Sequence, residues 1–156
     1  MEKCTRHLLG EQTMDKKEFK KILTSTLLEY GFVSRNNVSR AETSELIVVV
    51  STQKSSYDNS YYLNYGFLIK ALSPELTMPK DYQCDIFGRL HLNINGIILP
   101  ALDILEIGSE EFSSALKMSL DERIKPVLEY GLSKYFEILP GAISTVRLNA
   151  KRYLGL

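Results

Sequence analysis

The stretch Leu46-Ile47-Val48-Val49-Val50-Ser51-Thr52-Gln53-Lys54-Ser55-Ser56-Tyr57-Asp58-Asn59-Ser60-Tyr61-Tyr62-Leu63-Asn64-Tyr65-Gly66-Phe67-Leu68-Ile69 decides the fold. Leu46 to Val50 is apolar and mostly β-branched, which suits a pleated, half-buried surface. From Tyr61 to Leu72 large apolar residues alternate with smaller or polar ones, the period of a strand. Between the two runs stand Asp58 and Asn59, which tolerate positive φ and so suit a two-residue hairpin turn. That turn places Tyr57 opposite Ser60, Gln53 opposite Asn64, Val50 opposite Phe67 and Val48 opposite Ile69. Because side chains alternate, Val48, Val50, Thr52, Tyr65, Phe67 and Ile69 share one face, which has the composition of a core. The other face carries Ile47, Val49, Ser51, Gln53, Tyr62, Asn64, Gly66 and Leu68, and turns polar toward the hairpin tip.

Upstream, Asp15-Lys16-Lys17-Glu18 has the form of a capping box, and Phe19, Ile22, Leu23, Leu27 and Tyr30 recur at helical spacing before Gly31. A helix is predicted over 15–30, followed by a short strand over Phe32–Val38 and a polar loop over Ser39–Ser44. Downstream, Pro74 and Pro79 mark a connecting loop. Ile86, Leu90, Leu92 and Ile94 alternate through a strand over Asp85–Ile94, and Asn95-Gly96 is a tight-turn signal. A further strand is predicted over Gly96–Ile107, interrupted at Pro100. Ser109 is read as the N-cap of a helix reaching about Met118. Pro126 should break that helical course, push Lys125 toward an extended geometry, and open a second helix through Val127, Leu128, Gly131 and Tyr135 that stops at Pro140-Gly141. The stretch 142–156 fits helix or strand.

The chain of 156 residues fits one domain, read as a tail over 1–12 and an α+β domain over 13–156. A domain of this size buries roughly 70% of the surface its unfolded chain exposes, enough to fold without staples. Lysine plus arginine and aspartate plus glutamate number 19 each, so overall charge gives no reason to expect nucleic acid or an anionic membrane as partner. The only cysteines are Cys4 and Cys84, which make neither a disulfide framework nor a zinc site; no metal and no cofactor is expected. No signal-peptide pattern and no stretch long enough to span a bilayer is read, which predicts a cytoplasmic protein.

The helix ending Leu27-Leu28-Glu29-Tyr30-Gly31-Phe32, the strand ending Gln53-Lys54-Ser55-Ser56, and the paired Tyr62-Leu63-Asn64-Tyr65-Gly66 together resemble a bacterial family, the domain of unknown function 4304. Ile124-Lys125-Pro126-Val127-Leu128-Glu129-Tyr130-Gly131 is similar to its C-terminal part. The resemblance runs from about residue 15 to 137 and is weak between Ala71 and Ile107. It implies an α+β fold in which an N-terminal helix and C-terminal helices pack on one face of an antiparallel sheet. It brings no activity, cofactor or catalytic residue with it.

No catalytic constellation is legible. His7 and His91 have no evident nucleophile and carboxylate at matching spacing, and nucleophile-elbow, phosphate-loop and zinc-helix motifs are missing. Glu110-Glu111 and Asp121-Glu122 read as helix N-terminal charge rather than acid–base pairs. The lysines Lys16, Lys17, Lys20 and Lys21 read as the solvated face of the first helix. The candidate site is the polar end of the hairpin: Gln53, Ser55, Tyr62 and Asn64, beside Ser51 and the bare backbone of Gly66. Amides both donate and accept, tyrosine adds an apolar body with a polar tip, and glycine permits close approach. The same residues suit, more often than a site, a purely structural role in which Gln53 and Asn64 hydrogen-bond to a covering helix or loop and fix the register. The expectation is a non-enzymatic domain that binds another protein, such as an immunity or regulatory partner. A ligand binder or enzyme with a pocket between sheet and late helices is the alternative, and a homodimer through a sheet edge is the other. The oligomeric state stays open.

Overall fold

In the computed structural model, which describes residues 13–156, helix α1 spans Lys16–Glu29. Asp15 caps it: the Asp15 Oδ1 accepts from the Glu18 backbone N–H at 2.7 Å, filling one of the free donors of the first turn. Phe19, Leu23 and Leu27 are buried, Ile22 is partly so, and Thr26 joins them. The tail expected over 1–12, with Cys4 and His7, lies outside the described residues.

Strands β1 (Val33–Arg35), β2 (Val38–Glu42), β3 (Leu46–Lys54), β4 (Ser60–Ile69) and β5 (Ile86–Arg89) form an antiparallel sheet in that order. A separate hairpin pairs β6 (Leu92–Ile94) with β7 (Ile97–Leu99), and β8 (Leu102–Asp103) returns to the start of β4. Asn95 and Gly96, at φ 53° and 85°, make the tight turn between β6 and β7. The strand expected over Asp85–Ile94 is thus divided between two sheets, leaving His91 exposed between them, and the strand expected over Gly96–Ile107 is split at Pro100.

Two expectations near the sheet are corrected. The segment Ser39–Ser44 is largely strand β2 rather than loop, joined to β1 by Asn36-Asn37 with Asn36 at φ 60°. Its inward positions are Ser39 and Ala41, opposite Val50 and Val48, so its alternation is carried by small side chains and gives a faint apolar signal.

The register of the central hairpin is the second. Gln53 stands opposite Tyr62 and Asn64 opposite Ser51, while Val50 faces Tyr65 and Val48 faces Phe67. The pairing is displaced by two residues from the expected one. Asp58 spends its side chain instead of adopting positive φ: its Oδ1 accepts from Ser60 N–H at 3.0 Å, while Ser55 Oγ accepts from Tyr57 N–H at 3.1 Å. Ser55 N–H then donates to the Ser60 carbonyl at 2.9 Å, which closes a longer loop. A shift of two leaves every side chain on its expected face, because the strand period is two.

Four helices complete the layer: α2 (Ser109–Arg123), α3 (Lys125–Tyr130), α4 (Leu132–Ile138) and α5 (Leu148–Leu154). Gly108 rather than Ser109 is the N-cap of α2, its N–H donating to Glu111 Oε1 at 3.2 Å, and the helix runs well past Met118 because Leu116 and Leu120 continue its buried stripe. Lys125 is helical, not extended, since Pro126 falls in the first turn of α3 where its missing N–H costs nothing. Gly131, at φ 87°, divides the helix expected through Tyr135 into α3 and α4. The helices and α1 cover the face of β3 and β4 that bears Val48, Val50, Leu63, Tyr65 and Phe67. Phe19 packs its ring 4.7 Å from Tyr61 and 5.1 Å from Phe112, and Tyr135 meets Phe67 edge-on at 5.0 Å. The fold is α+β, with helices on one face of an antiparallel sheet.

Candidate functional site

The face of the sheet turned away from the helices is divided. One end lies under the segment between β4 and β5. Ile47, Val49 and Leu68 pack there with Cys84 into a small second core. Ser51 donates its hydroxyl to Asp81 Oδ1 at 2.7 Å, and Arg40 donates to the carbonyls of Pro79 and Met78 at 2.9 and 3.2 Å. Gly66 does admit a close approach, but by this chain's own loop: a Cβ there would lie 2.7 Å from Cys84 Sγ and 2.9 Å from the Asp81 carbonyl. Burial, with Asp85 and Asp81 adding to it, pushes the Cys84 thiol up to about 12. It is therefore protonated at neutral pH, and a poor nucleophile or ligand.

The other end is open, and there the sequence-predicted residues meet. Gln53 and Tyr62 are a cross-strand pair. Asn64, diagonal to Gln53, donates its Nδ2 to Gln53 Oε1 at 3.0 Å. On its other side Asn64 stands opposite Arg89 of β5, whose Nε donates to Asn64 Oδ1 at 3.1 Å. Since a guanidinium only donates, it orients the Asn64 oxygen toward itself and leaves the amide nitrogen for Gln53. The Arg89 guanidinium also stacks on the Tyr62 ring, 4.0 Å from its centre. Gln53 is exposed, and Tyr62, Asn64 and Arg89 are half-buried. Ser55 is not part of this array: its hydroxyl braces the turn at Tyr57. Phe87, two residues from Arg89 on the same side of β5, adds an exposed ring, with Arg147 near it. Sequence reasoning passed over Arg89 and Phe87, although the inward alternation of Ile86, Leu90 and Leu92 already turns both outward.

One carboxylate of each remaining acidic pair, Glu111 and Asp121, is in structural use. Glu111 accepts from Gly108 N–H and, through Oε2, from Asn95 Nδ2 at 2.8 Å. Asp121 sits near the end of α2 rather than at a helix start, and accepts the Tyr30 hydroxyl at 2.7 Å. Among the described residues no three His, Cys, Asp or Glu side chains converge to hold a metal ion, and no helix is long and apolar enough to cross a membrane.

Comparison with curated proteins and with solved structures finds no match. The family described as a domain of unknown function, DUF4304, matches residues 23–130. That span holds the second half of α1, the whole sheet with the Gln53–Tyr62–Asn64–Arg89 array, and the helices through Tyr130. The chain belongs to the DUF4304 family.

Proposed function

We propose that the protein is a non-enzymatic, cytoplasmic binding domain of the immunity or regulatory kind, which recognises another protein through the open end of the sheet. The observation that supports this best is Arg89 stacked on Tyr62 and held from the side by Asn64 and Gln53. Tyrosine and arginine are the side chains that anchor protein interfaces, and a guanidinium fixed in advance loses little freedom on binding. Among the described residues only Nε of that guanidinium is hydrogen-bonded, so its terminal nitrogens are available to a carboxylate or carbonyl of the partner. The exposed ring of Phe87 extends the surface with apolar area.

The alternatives fit less well. Gln53, Tyr62 and Asn64 project away from the late helices, so they cannot anchor a pocket between those helices and the sheet. The edge strands β1 and β5 have three and four residues, which offers little ladder for a dimer joined edge to edge.

The test places a photo-crosslinking residue at Gln53, with a control at Lys20 on α1, and identifies adducts in the native cell by mass spectrometry. The purified partner is then titrated against Tyr62→Ala and Arg89→Ala. A partner captured only from Gln53, with affinity falling about tenfold or more in both variants and melting little changed, is the expected result. Unchanged affinity beside a large loss of melting temperature would reduce the array to scaffolding.

A further inference from the structure

A different concavity lies on the same side of the sheet, at its opposite edge. Arg35 pairs with Val38 across the β1–β2 hairpin, and Arg40 follows Val38 by two residues, so Arg35, Val38 and Arg40 share one side. The segment carrying Met78 and Lys80 crosses in front of them. Between the two lies a cavity of about 330 Å³, with the Asn36-Asn37 turn at one end. Among the described residues its lining holds three cationic side chains, Arg35, Arg40 and Lys80, and no acidic one. Among the described residues none of the three forms an ion pair, whereas Lys70, Lys117 and Lys134 each do. In a chain whose charges balance overall, three cations in one described lining that carries no carboxylate, the nearby Asp81 being bonded to Ser51, is a local departure that costs repulsion and desolvation.

Arg40 is also positioned in advance. Its Nε and Nη2 donate to the Pro79 and Met78 carbonyls, which ties the guanidinium to the cavity wall and, among the described residues, leaves Nη1 uncommitted. Burial first, and the neighbouring Arg35 as well, hold its pKa below the ordinary arginine value, with Cys84 opposing. An arginine so placed stays charged at neutral pH. An anion entering the cavity would relieve the repulsion between Arg35 and Arg40 and gain charge-assisted hydrogen bonds from both. Val38, Met78 and the aliphatic stems give the cavity an apolar floor, so the anion's organic body has a surface to lie on.

We propose that this cavity is a binding site for a small phosphorylated ligand, its phosphoryl group held by Arg35, Arg40 and Lys80 and its body set against Val38 and Met78. Phosphate suits the site better than a single carboxylate because it carries nearly two charges and three acceptor oxygens, enough for three donors. Inorganic phosphate and a phosphate monoester share this chemistry and differ in whether the apolar floor is used.

Isothermal titration of the purified chain with inorganic phosphate and with phenyl phosphate, at low and raised salt, tests the proposal. Arg35 and Lys80 are exposed, so Arg35→Ala and Lys80→Ala should keep the wild-type melting curve. Each is expected to weaken phosphate binding about tenfold, the scale of one charge-assisted hydrogen bond. Tighter binding of phenyl phosphate than of inorganic phosphate identifies a monoester as the ligand class, and equal binding identifies free phosphate. If neither probe binds, or if both variants bind as the wild type does, the proposal is overturned.

Discussion

The hydroxyl groups of Tyr65 and Tyr135 meet 2.8 Å apart inside the core, tying the centre of the sheet to helix α4. Both residues are 2% exposed. Removing one hydroxyl leaves the other without its partner in a place water does not reach. Tyr65→Phe and Tyr135→Phe should each cost about 1–3 kcal/mol in a reversible denaturant titration. The double variant should cost less than the sum, because it leaves no orphaned group. Additive losses would mean that the two hydroxyls do not depend on each other.

Alkaline pH should destabilise the fold partly through Cys84. Its thiol is raised from an ordinary 9.0 to about 12, chiefly by burial. Above pH 9 the unfolded chain has released this proton while the folded chain keeps it, so the folded state binds more protons there. The contribution is therefore complete below about pH 9 and is lost as pH climbs toward 12, with a slope of at most about 1.4 kcal/mol per pH unit from this one group. Chemical denaturation across that window should show a shallower decline in Cys84→Ala than in the wild type. Equal slopes would mean that the thiol titrates alike in both states.

Two leucines of α1 should behave oppositely. Leu23 is 5% exposed in the stripe against the sheet, and Leu28 is 66% exposed. Leu23→Ala should cost about 2–5 kcal/mol as a large-to-small core change, and Leu28→Ala within about 0.5 kcal/mol. A loss below about 1 kcal/mol for Leu23→Ala would contradict the packing of this helix.

Gly66 tests the covering loop. An added methyl would meet Cys84 Sγ at 2.7 Å and the Asp81 carbonyl at 2.9 Å, so Gly66→Ala should cost about 1–3 kcal/mol by overpacking. Adding Cys84→Ala should recover only part of the loss, because the Asp81 backbone stays in place. A neutral Gly66→Ala would show the loop free to lift from β4.

The sequence by itself determined which residues share a face. Alternation along β3 and β4 separated Val48, Val50, Tyr65 and Phe67 from Gln53, Tyr62 and Asn64, and the 3.6-residue spacing of Phe19, Leu23 and Leu27 set the buried side of α1. These are short-period properties of the chain, and they survive even a register displaced by two. The polar end of the hairpin was legible for the same reason.

Only the tertiary structure decided what those faces meet. Whether Asp58 adopts positive φ or caps Ser60 with its side chain depends on bonds that close locally in the folded hairpin, and that choice put Ser51 rather than Gln53 opposite Asn64. Arg89 reached Tyr62 because β5 pairs with β4 over Asn64–Phe67, and Arg35 and Arg40 met Lys80 because the loop after β4 folds back across β2. Arg89 is far in the chain from Tyr62, and Lys80 from Arg35 and Arg40, so nothing in their spacing joins them. What brings them together is the burial of Ile47, Val49 and Leu68 beneath Cys84, which holds that loop against the sheet and shapes both the open face and the cationic cavity beside it.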